Sequence, residues 1–324
     1  MYEQFYGLRE KPFSLAPNPR FLFLSRRHRE ALAHLRYGLA GRPGMTMLVG
    51  EAGTGKTTLV RTAMCASDAS ASTVVHLSNP TLTRPEFYEY LAAGFGFAPE
   101  DGTSKTRFLK QLEDALKART SGVLALIVDE AQALSHELLE EIRLLTNVCT
   151  PGERALTVVL AGQPELAERL RDASLRQLRQ RISLRCELQP FDVKETTAYI
   201  ASRVRIAGGA ADALFTRDAV AVIHERSGGI PRLVNVICDN ALVTGFAADT
   251  KPVGRDIVLE VCRDFELDGP GLSAVPAQTL PDAAAADSRA AMSTGTDGPD
   301  RNAIDARPLF SGFTRPRRFS FFQG

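Results

Sequence analysis

The sequence predicts an α/β protein with a parallel sheet around a P-loop, followed by a small all-helical unit and a disordered tail. Three observations predict this organisation. A glycine-rich loop separates an apolar run at 45–49 from a helix-like run at 57–65. A second apolar run ends in an Asp-Glu pair, and from Gln189 onward apolar residues recur only at helical spacing. From Asp268 large apolar residues become rare and show no period, which is typical of disorder.

Residues 1–25 form an N-terminal arm whose aromatic residues and prolines are too dense for a solvated tail. Its prolines exclude a long helix, so we expect an extended arm whose rings dock on the body of the protein. Ser25 is a suitable N-cap for a helix at 26–39. His28 and Arg29 of that helix either touch a nucleotide base near the loop or form an ordinary solvated face.

The loop at 50–57 matches the P-loop pattern G-x-x-x-x-G-K-[ST] at every fixed position. Glycines let successive backbone N–H groups turn towards phosphate oxygens, and the following helix adds the positive end of its dipole. Lys56 is expected to reach the β and γ phosphates of ATP, and the Thr57 hydroxyl to hold Mg²⁺. A glycine-rich turn with a chance lysine is the alternative. The predicted nucleotide-binding residues are Gly50, Glu51, Ala52, Gly53, Thr54, Gly55, Lys56, Thr57 and Thr58.

The apolar run at 123–128 ends in Asp129 and Glu130, which is the Walker B pattern of a buried parallel strand. Asp129 is expected to hold Mg²⁺ through water, and Glu130 to orient or deprotonate the attacking water. An acidic pair is weak evidence alone, but after a complete P-loop it favours a Mg-ATP site. The next strand, at 156–161, is followed by Gln163, which either contacts the γ phosphate or water or simply starts a helix.

The rest of this first unit, residues 26–188, follows clear periodicities. A helix at 175–182 carries Arg179 and Arg181. Surface arginines are normally just solvated, but Arg181 could reach the γ phosphate of a neighbouring subunit in a ring or filament. We further predict strands at 73–78 and 183–188, and helices at 84–95, 105–119 and 138–148.

The second unit, residues 189–267, is predicted as a helical lid with helices at 193–206, 216–225, 232–247 and 256–265. Arg232 starts one of these helices after a Gly-Gly-Ile-Pro turn and could close onto the γ phosphate. Residues 268–324 are predicted to be disordered. Their last part interleaves arginines with phenylalanines, as in a docking motif or a segment that touches an anionic surface, although a tail without function fits equally well.

Composition restricts the function classes. The net charge of +1 with 24% charged residues does not indicate a general nucleic-acid or anionic-membrane binder. The five cysteines are scattered and never form C-x-x-C pairs, so we interpret them as reduced core residues rather than zinc ligands or disulfides. No apolar run approaches the ~20 residues of a membrane span, and the N-terminal stretch, which mixes charged residues among its aromatics, does not have the pattern of a signal peptide. We therefore expect a cytoplasmic protein.

These motifs together resemble the AAA+ ATPases of the ExeA/GspA (general secretion pathway protein A) type, which include MshM-like and exopolysaccharide-export-associated members. The resemblance covers residues 1–265 and is carried by seven stretches: FYGLREKPFSLAPNPRFLFLS in the arm, HREAL at 28–32, GEAGTGKTT at 50–58, LIVDEAQ at 126–132, LAGQPEL at 160–166, QLRQRI at 177–182 and GGIPR at 228–232. The opening stretch is the most specific, because a P-loop alone indicates only an NTPase.

The resemblance implies a base of five parallel strands with a helical lid, ATP hydrolysis between subunits, and nucleotide-driven oligomerisation. It implies that Gln163 is sensor 1, that Arg181 is the leading arginine-finger candidate with Arg179 second, and that Arg232 is sensor 2. Secretion members continue into a transmembrane helix and a periplasmic peptidoglycan-binding part. This sequence has neither, so we expect a cytoplasmic motor or switch for a membrane-bound secretion, pilus or export component rather than a cell-wall role.

Two alternatives to this function remain. The core also resembles transposition regulators of the TniB and TnsC kind, and the arginines at 171–185 favour a DNA partner. The low net charge, and the lack of a helix-turn-helix unit after the lid, count against that alternative. A scaffold that binds nucleotide without turnover is the other alternative, and Glu130 argues against it.

Overall fold

The computed structural model describes residues 1–16, 18–40, 44–66, 72–119, 121–148 and 155–267. The tail predicted at 268–324, with its arginine- and phenylalanine-rich end, lies outside the described residues, as does Cys149.

A five-stranded, fully parallel sheet forms the centre of the fold, with strand order β2-β3-β4-β1-β5. All five predicted strands form, within two residues of the expected bounds. Strands β1, β3 and β4 are buried at every position because helices cover both of their faces, whereas the edge strand β5 alternates between inward and exposed residues. The strands are β1 (Met45–Gly50), β2 (Thr73–Leu77), β3 (Leu124–Val128), β4 (Thr157–Gly162) and β5 (Ile182–Leu188).

The helices of the first unit lie in two layers on either side of the sheet. Local sequence sets their starts, since the hydroxyls of Ser25 and Ser135 accept the free N–H groups of the first turns that follow them. Short helical turns at Pro99–Gly102 and Ala131–Ala133 were not predicted, because three or four residues carry no periodicity. The helices are α2 (Arg26–Leu39), α3 (Lys56–Ala66), α4 (Arg84–Phe95), α5 (Pro99–Gly102), α6 (Lys105–Ala118), α7 (His136–Leu145), α8 (Pro164–Arg169) and α9 (Arg176–Arg181).

Successive strand residues enter two different cores. Leu126 packs on one face of the sheet in a cluster that includes Phe87 of α4. Ile127, the next residue, packs on the other face in a cluster with Leu35 of α2 and Leu59 of α3. Because the strands are parallel, the carboxyl ends of β1, β3 and β4 lie at one edge of the sheet, where the predicted site residues follow.

After β5 the chain is helical, as predicted. An Asp192–Glu195 capping box starts the first of these helices, and Thr216 caps another. The helices are α10 (Val193–Ile206), α11 (Ala211–Leu214), α12 (Arg217–Ser227), α13 (Pro231–Ala247) and α14 (Arg255–Asp264). Within the described ranges, none of the helices combines the length and the apolar character that a membrane crossing requires.

The N-terminal arm differs from the prediction in its local structure, whereas its rings dock on the body as expected. It begins with a short helix, α1 (Tyr2–Tyr6), which ends at Gly7 in the left-handed conformation, so the arm is not extended throughout. Its rings pack specifically with the helices after β5: Phe13 is 1% exposed, and the Phe5 ring lies edge-on to Phe246 with centroids 5.5 Å apart. The arm therefore completes the core of α10–α14.

The cysteine prediction is partly wrong. Cys186, Cys238 and Cys262 are buried core residues, as expected, but Cys65 is exposed. Cys65 lies in the last turn of α3, on the side of the helix away from the sheet. Scattered spacing alone could not have distinguished the two environments.

Candidate nucleotide-binding site

The P-loop leaves the end of β1 and turns into α3 at the carboxyl edge of the sheet. Gly53 and Gly55 have φ of 83° and 98°, which side chains other than glycine rarely adopt. A Cβ atom on Gly53 would lie only 2.7 Å from the Cβ of Arg232. The loop is therefore a tight glycine cradle in contact with the helical unit.

Lys56 is folded back over this loop and is only 5% exposed. Its ammonium donates to the carbonyl oxygens of Gly50 at 2.8 Å and Glu51 at 3.0 Å. An ammonium has three N–H donors, so one remains for a ligand in the loop. Burial lowers the pKa of Lys56, and the neighbouring carboxylates of Glu130 and Asp129 oppose that shift. The loop thus presents a buried positive charge.

Thr57 and Asp129 meet at this edge although 72 residues separate them in the chain. The Thr57 hydroxyl donates to a carboxylate oxygen of Asp129 at 2.6 Å, and Asp129 is buried. Mg²⁺ prefers such oxygen ligands and usually keeps several waters and phosphate oxygens in its shell, so two protein groups suit it. The described residues hold no group of three or more His, Cys, Asp or Glu side chains placed to bind a metal. The pair therefore fits a Mg²⁺ bound together with nucleotide.

Glu130 has a positive φ of 51°, which directs the chain into a sharp turn after β3. Its Oε2 accepts hydrogen bonds from Nε2 of Gln132 at 2.6 Å and from Nε2 of Gln163 at 3.3 Å. Burial alone would raise the pKa of Glu130, but these two hydrogen bonds and the charge of Lys56 lower it overall. Glu130 is thus held as a carboxylate.

Gln163 starts a helix, which is one of its two predicted alternatives. It is the residue before Pro164 at the start of α8, although its side chain does not cap that helix. Its side chain instead contacts Glu130, so the tips of β3 and β4 come together.

Arg232 is brought to the P-loop from the helical unit. It lies in the first turn of α13, and its backbone N–H donates to the carbonyl of Gly53 at 3.3 Å. Its side chain is exposed and lines the cleft above the loop.

Arg179 and Arg181 are not brought to this site. Both are exposed at the end of α9, and Arg181 donates to the Asn147 side chain. Within the described chain neither of them lines the cleft. A role at nucleotide would require the site of another subunit.

The cleft above the P-loop has a volume of about 430 Å³, and the helical unit and the N-terminal arm complete it. Sequence reasoning missed the arm's part in this cleft. The lining residues from the arm are Ser14, Leu15, Ala16, Asn18, Phe21, Leu22 and Phe23, and those from the helical unit are Phe191, Tyr199, Arg203, Pro231, Arg232 and Asn235.

Arg203 of α10 fastens the arm beside the cleft. Its buried guanidinium donates to the carbonyl oxygens of Pro12 and Ser14 and to the Tyr199 hydroxyl, and it lies 4.8 Å from the Phe21 ring centroid. The sequence signal was available, since Arg203 falls four residues after Tyr199 on the buried stripe of its helix. An arginine on such a stripe needs a partner.

His28 is buried, so the prediction of a solvated face is wrong for this residue. One ring nitrogen lies 2.9 Å from the Ser25 hydroxyl and the other 3.0 Å from the carbonyl oxygen of Thr54 in the P-loop. The ring also packs against Phe191 with centroids 5.4 Å apart. Arg29 is exposed and donates to the Leu24 carbonyl.

Known proteins are similar to this chain in sequence and in fold. Residues 39–170 match the family model described as an AAA domain. Residues of the chain align with general secretion pathway protein A of Aeromonas hydrophila at 43% identity over 266 residues, which is 80% of this chain and 48% of that protein. The chain therefore contains an AAA domain and is similar to general secretion pathway protein A. It spans about half the length of that relative.

Solved structures agree on the fold of this GspA homologue. The ORC2 protein of Aeropyrum pernix, determined as ADPNP–ADP complexes, has a TM-score of 0.58 at 21% identity and covers 79% of this chain and 72% of its own. CDC6p of Pyrobaculum aerophilum has a TM-score of 0.61 at 19% identity, with 78% and 70% covered. The predicted fold, a five-stranded parallel AAA+ base followed by helices, is confirmed, and the AAA domain implies nucleotide binding.

Proposed function

We propose that this GspA homologue is a cytoplasmic, Mg²⁺-dependent ATPase that hydrolyses ATP at subunit interfaces to drive or regulate assembly of a bacterial secretion, pilus or export machine. The observation that supports it best is the convergence of Lys56, the Thr57–Asp129 pair and Glu130 at one edge of the sheet. Homology to a general secretion pathway protein supports the secretion partner, which would be membrane-bound.

The proposed division of the chain follows its cores. Residues 26–188 would form the base around the sheet and residues 189–267 the lid, with the arm at 1–25 belonging to the lid's core. Arg232 would then respond to nucleotide as the lid moves, because its backbone N–H donates to the P-loop carbonyl of Gly53.

The proposed reaction assigns one task to each side chain. The P-loop N–H groups and Lys56 bind the β and γ phosphates, and Thr57 and Asp129 hold Mg²⁺, which would neutralise charge on the phosphates. Glu130 takes a proton from water as the water oxygen bonds to the γ phosphorus. The bond between the γ phosphorus and the β–γ bridging oxygen breaks, and that oxygen leaves with ADP. Gln163 orients that water or the γ phosphate.

Arg181 of a neighbouring subunit, with Arg179 second, would stabilise the charge that develops on the transferred group. An arginine donated in this way increases kcat by a factor of about 10³ to 10⁵. Because neither arginine lies at its own subunit's cleft, this role requires a homo-oligomer, as a ring or a filament.

The test is ATP hydrolysis by the purified full chain as a function of its own concentration. Wild type is compared with Glu130→Gln and Arg181→Ala, with Arg171→Ala as an exposed control on the same surface. We expect the specific rate to rise with concentration and both site variants to lose it. A rate that is independent of concentration, or an active Glu130→Gln variant, contradicts the proposal.

A second candidate function, ATP-dependent DNA binding of the transposition-regulator kind, rests on five exposed arginines at and beside α9. Duplex binding measured by fluorescence anisotropy tests it. Affinity that requires ATP and falls steeply with salt favours DNA as the partner, and no binding at low salt excludes it. The arginines are Arg171, Arg176, Arg179, Arg181 and Arg185.

A further inference from the structure

Gln132 has no role in the reaction proposed above. It nevertheless contacts the residues at the tips of two strands, β3 and β4, that we assign to that reaction. It lies in the 3₁₀ turn Ala131–Ala133 that directly follows Glu130. Its Nε2 donates to Oε2 of Glu130 at 2.6 Å, and its Oε1 accepts the backbone N–H of Gln163 at 3.0 Å. Both ends of one amide are therefore used, one at the tip of β3 and the other at the tip of β4.

The surroundings leave Gln132 little freedom. A Cβ atom on Gly162, the last residue of β4, would lie 2.9 Å from Oε1 of Gln132, so this approach requires glycine. The turn is also anchored from α8, because the guanidinium of Arg169 donates to the carbonyl oxygens of Gln132 and, at 2.9 Å, Leu134. Both the side chain and the backbone of Gln132 are thus fixed by β4 and the helix that follows it.

This arrangement distinguishes the two oxygens of Glu130. Oε2 accepts two amide donors, from Gln132 and Gln163. Oε1 has no hydrogen-bond partner in the part of the chain that the structure describes. A carboxylate held through one oxygen keeps the other in a defined position, where it can accept a proton from water.

We propose that Gln132 is a positioning residue for ATP hydrolysis, which ties Oε2 of Glu130 to the tip of β4 and leaves Oε1 as the oxygen that accepts the proton. This inference rests on the proposed ATPase function. Gln132 is not among the described residues that line the cleft, and it acts through Glu130.

The first test is steady-state kinetics of Gln132→Met, which keeps the length of the side chain and removes both hydrogen bonds. A misplaced base can cost about 10²-fold, so we expect kcat to fall by about 10- to 100-fold while KM for ATP stays within about twofold. Gln111→Met on the exposed face of α6 is the matched control and should keep wild-type kinetics. In a Glu130→Gln background, Gln132→Met should cause no further loss.

The second test needs no turnover. Thermal unfolding of nucleotide-free protein is measured for Gln132→Met, Glu130→Ala and the double variant. Because the two side chains are hydrogen-bonded, the midpoint shift caused by Gln132→Met should be smaller in the Glu130→Ala background than in wild type. If Gln132→Met does not fold, Gln132→Glu replaces it, since it retains the length and the acceptor for Gln163 and repels Glu130; its kcat should fall likewise.

The outcomes separate the two proposals. If Glu130→Gln keeps wild-type turnover, the proposed ATPase mechanism is wrong and the role of Gln132 falls with it. If Glu130→Gln loses turnover but Gln132→Met keeps kcat within about twofold of wild type, or the midpoint shifts simply add, Gln132 does not position Glu130. A rise in KM that accounts for the whole loss would also overturn the inference, since it would indicate a role in binding ATP.

Discussion

The two ends of the cleft are built in different ways. At the phosphate end, so called because we propose that it binds the phosphates, residues 52–59 form most of the lining and Glu130 at the tip of β3 adds to it. At the other end, Pro12 and Ser14 of the arm meet Arg203 of α10, which lies 191 and 189 residues later in the chain. The first end is a product of local sequence around one sheet edge, whereas the second exists only when distant segments share a core.

The strongest way to break the phosphate end alone is Lys56→Ala. The buried ammonium would be lost from the P-loop, so we expect ATP turnover to fall by at least about 10³-fold. Phosphate release measures this, and Lys110→Ala on the exposed side of α6 is the control. Turnover within tenfold of wild type would show that Lys56 does not bind the phosphates.

The opposite end is broken by Phe13→Ala. Phe13 of the arm is buried in the core that the arm shares with the helical unit. The cavity left by alanine should therefore lower the free energy of unfolding by about 3 kcal/mol or more. Chemical denaturation checks this value. Leu15→Ala, at an exposed arm position, should cost less than about 0.5 kcal/mol; equal costs would mean that the arm is not part of the core.

Arg203→Met separates the arm from α10 with a smaller effect. Two carbonyl oxygens of the arm lose a charged donor, and we expect a cost of about 2 kcal/mol together with weaker binding of a fluorescent ATP analogue. Arg205→Met, on the exposed side of the same helix, serves as the control. Unchanged ATP affinity in a folded Arg203→Met variant would show that the arm's position does not matter to the cleft.

His28 joins the two ends, and its substitution should have the smallest effect. Burial lowers the pKa of His28, against weaker opposing effects from the Thr54 hydrogen bond and Glu195. Below the unfolded pKa, near 6.5, the unfolded chain binds a proton that the folded chain resists, so this group destabilises the fold as pH falls.

We therefore expect His28→Gln to cost about 1 kcal/mol at neutral pH, through its hydrogen bonds, and less at pH 5. Unfolding midpoints at the two pH values, compared with His136→Gln at an exposed position, measure the difference. A cost that grows as pH falls would contradict the assignment of a buried neutral imidazole.

The same contrast explains how much the sequence could predict. The strands, the longer helices and the P-loop could be predicted because their signals lie within short stretches of sequence. These signals are the periodic spacing of apolar residues and the fixed spacing of the P-loop motif. Gln132 was visible within LIVDEAQ, but no spacing rule connects it to Gln163, and the contact depends on which strands are neighbours. Arg203 was likewise visible on an apolar stripe, but its partners at positions 12–14 are set only by tertiary packing. The five-residue helix α1 was too short to show a period.

The packing of the arm also has a consequence for synthesis of the protein on the ribosome. Pro12 and Arg203 are 191 residues apart. At about 5–20 residues per second, the arm emerges roughly 10–40 s before the helices that bury its rings. During that interval its phenylalanines and tyrosines are exposed on the nascent chain, which makes this segment the natural place for a chaperone to bind before the nucleotide cleft can close.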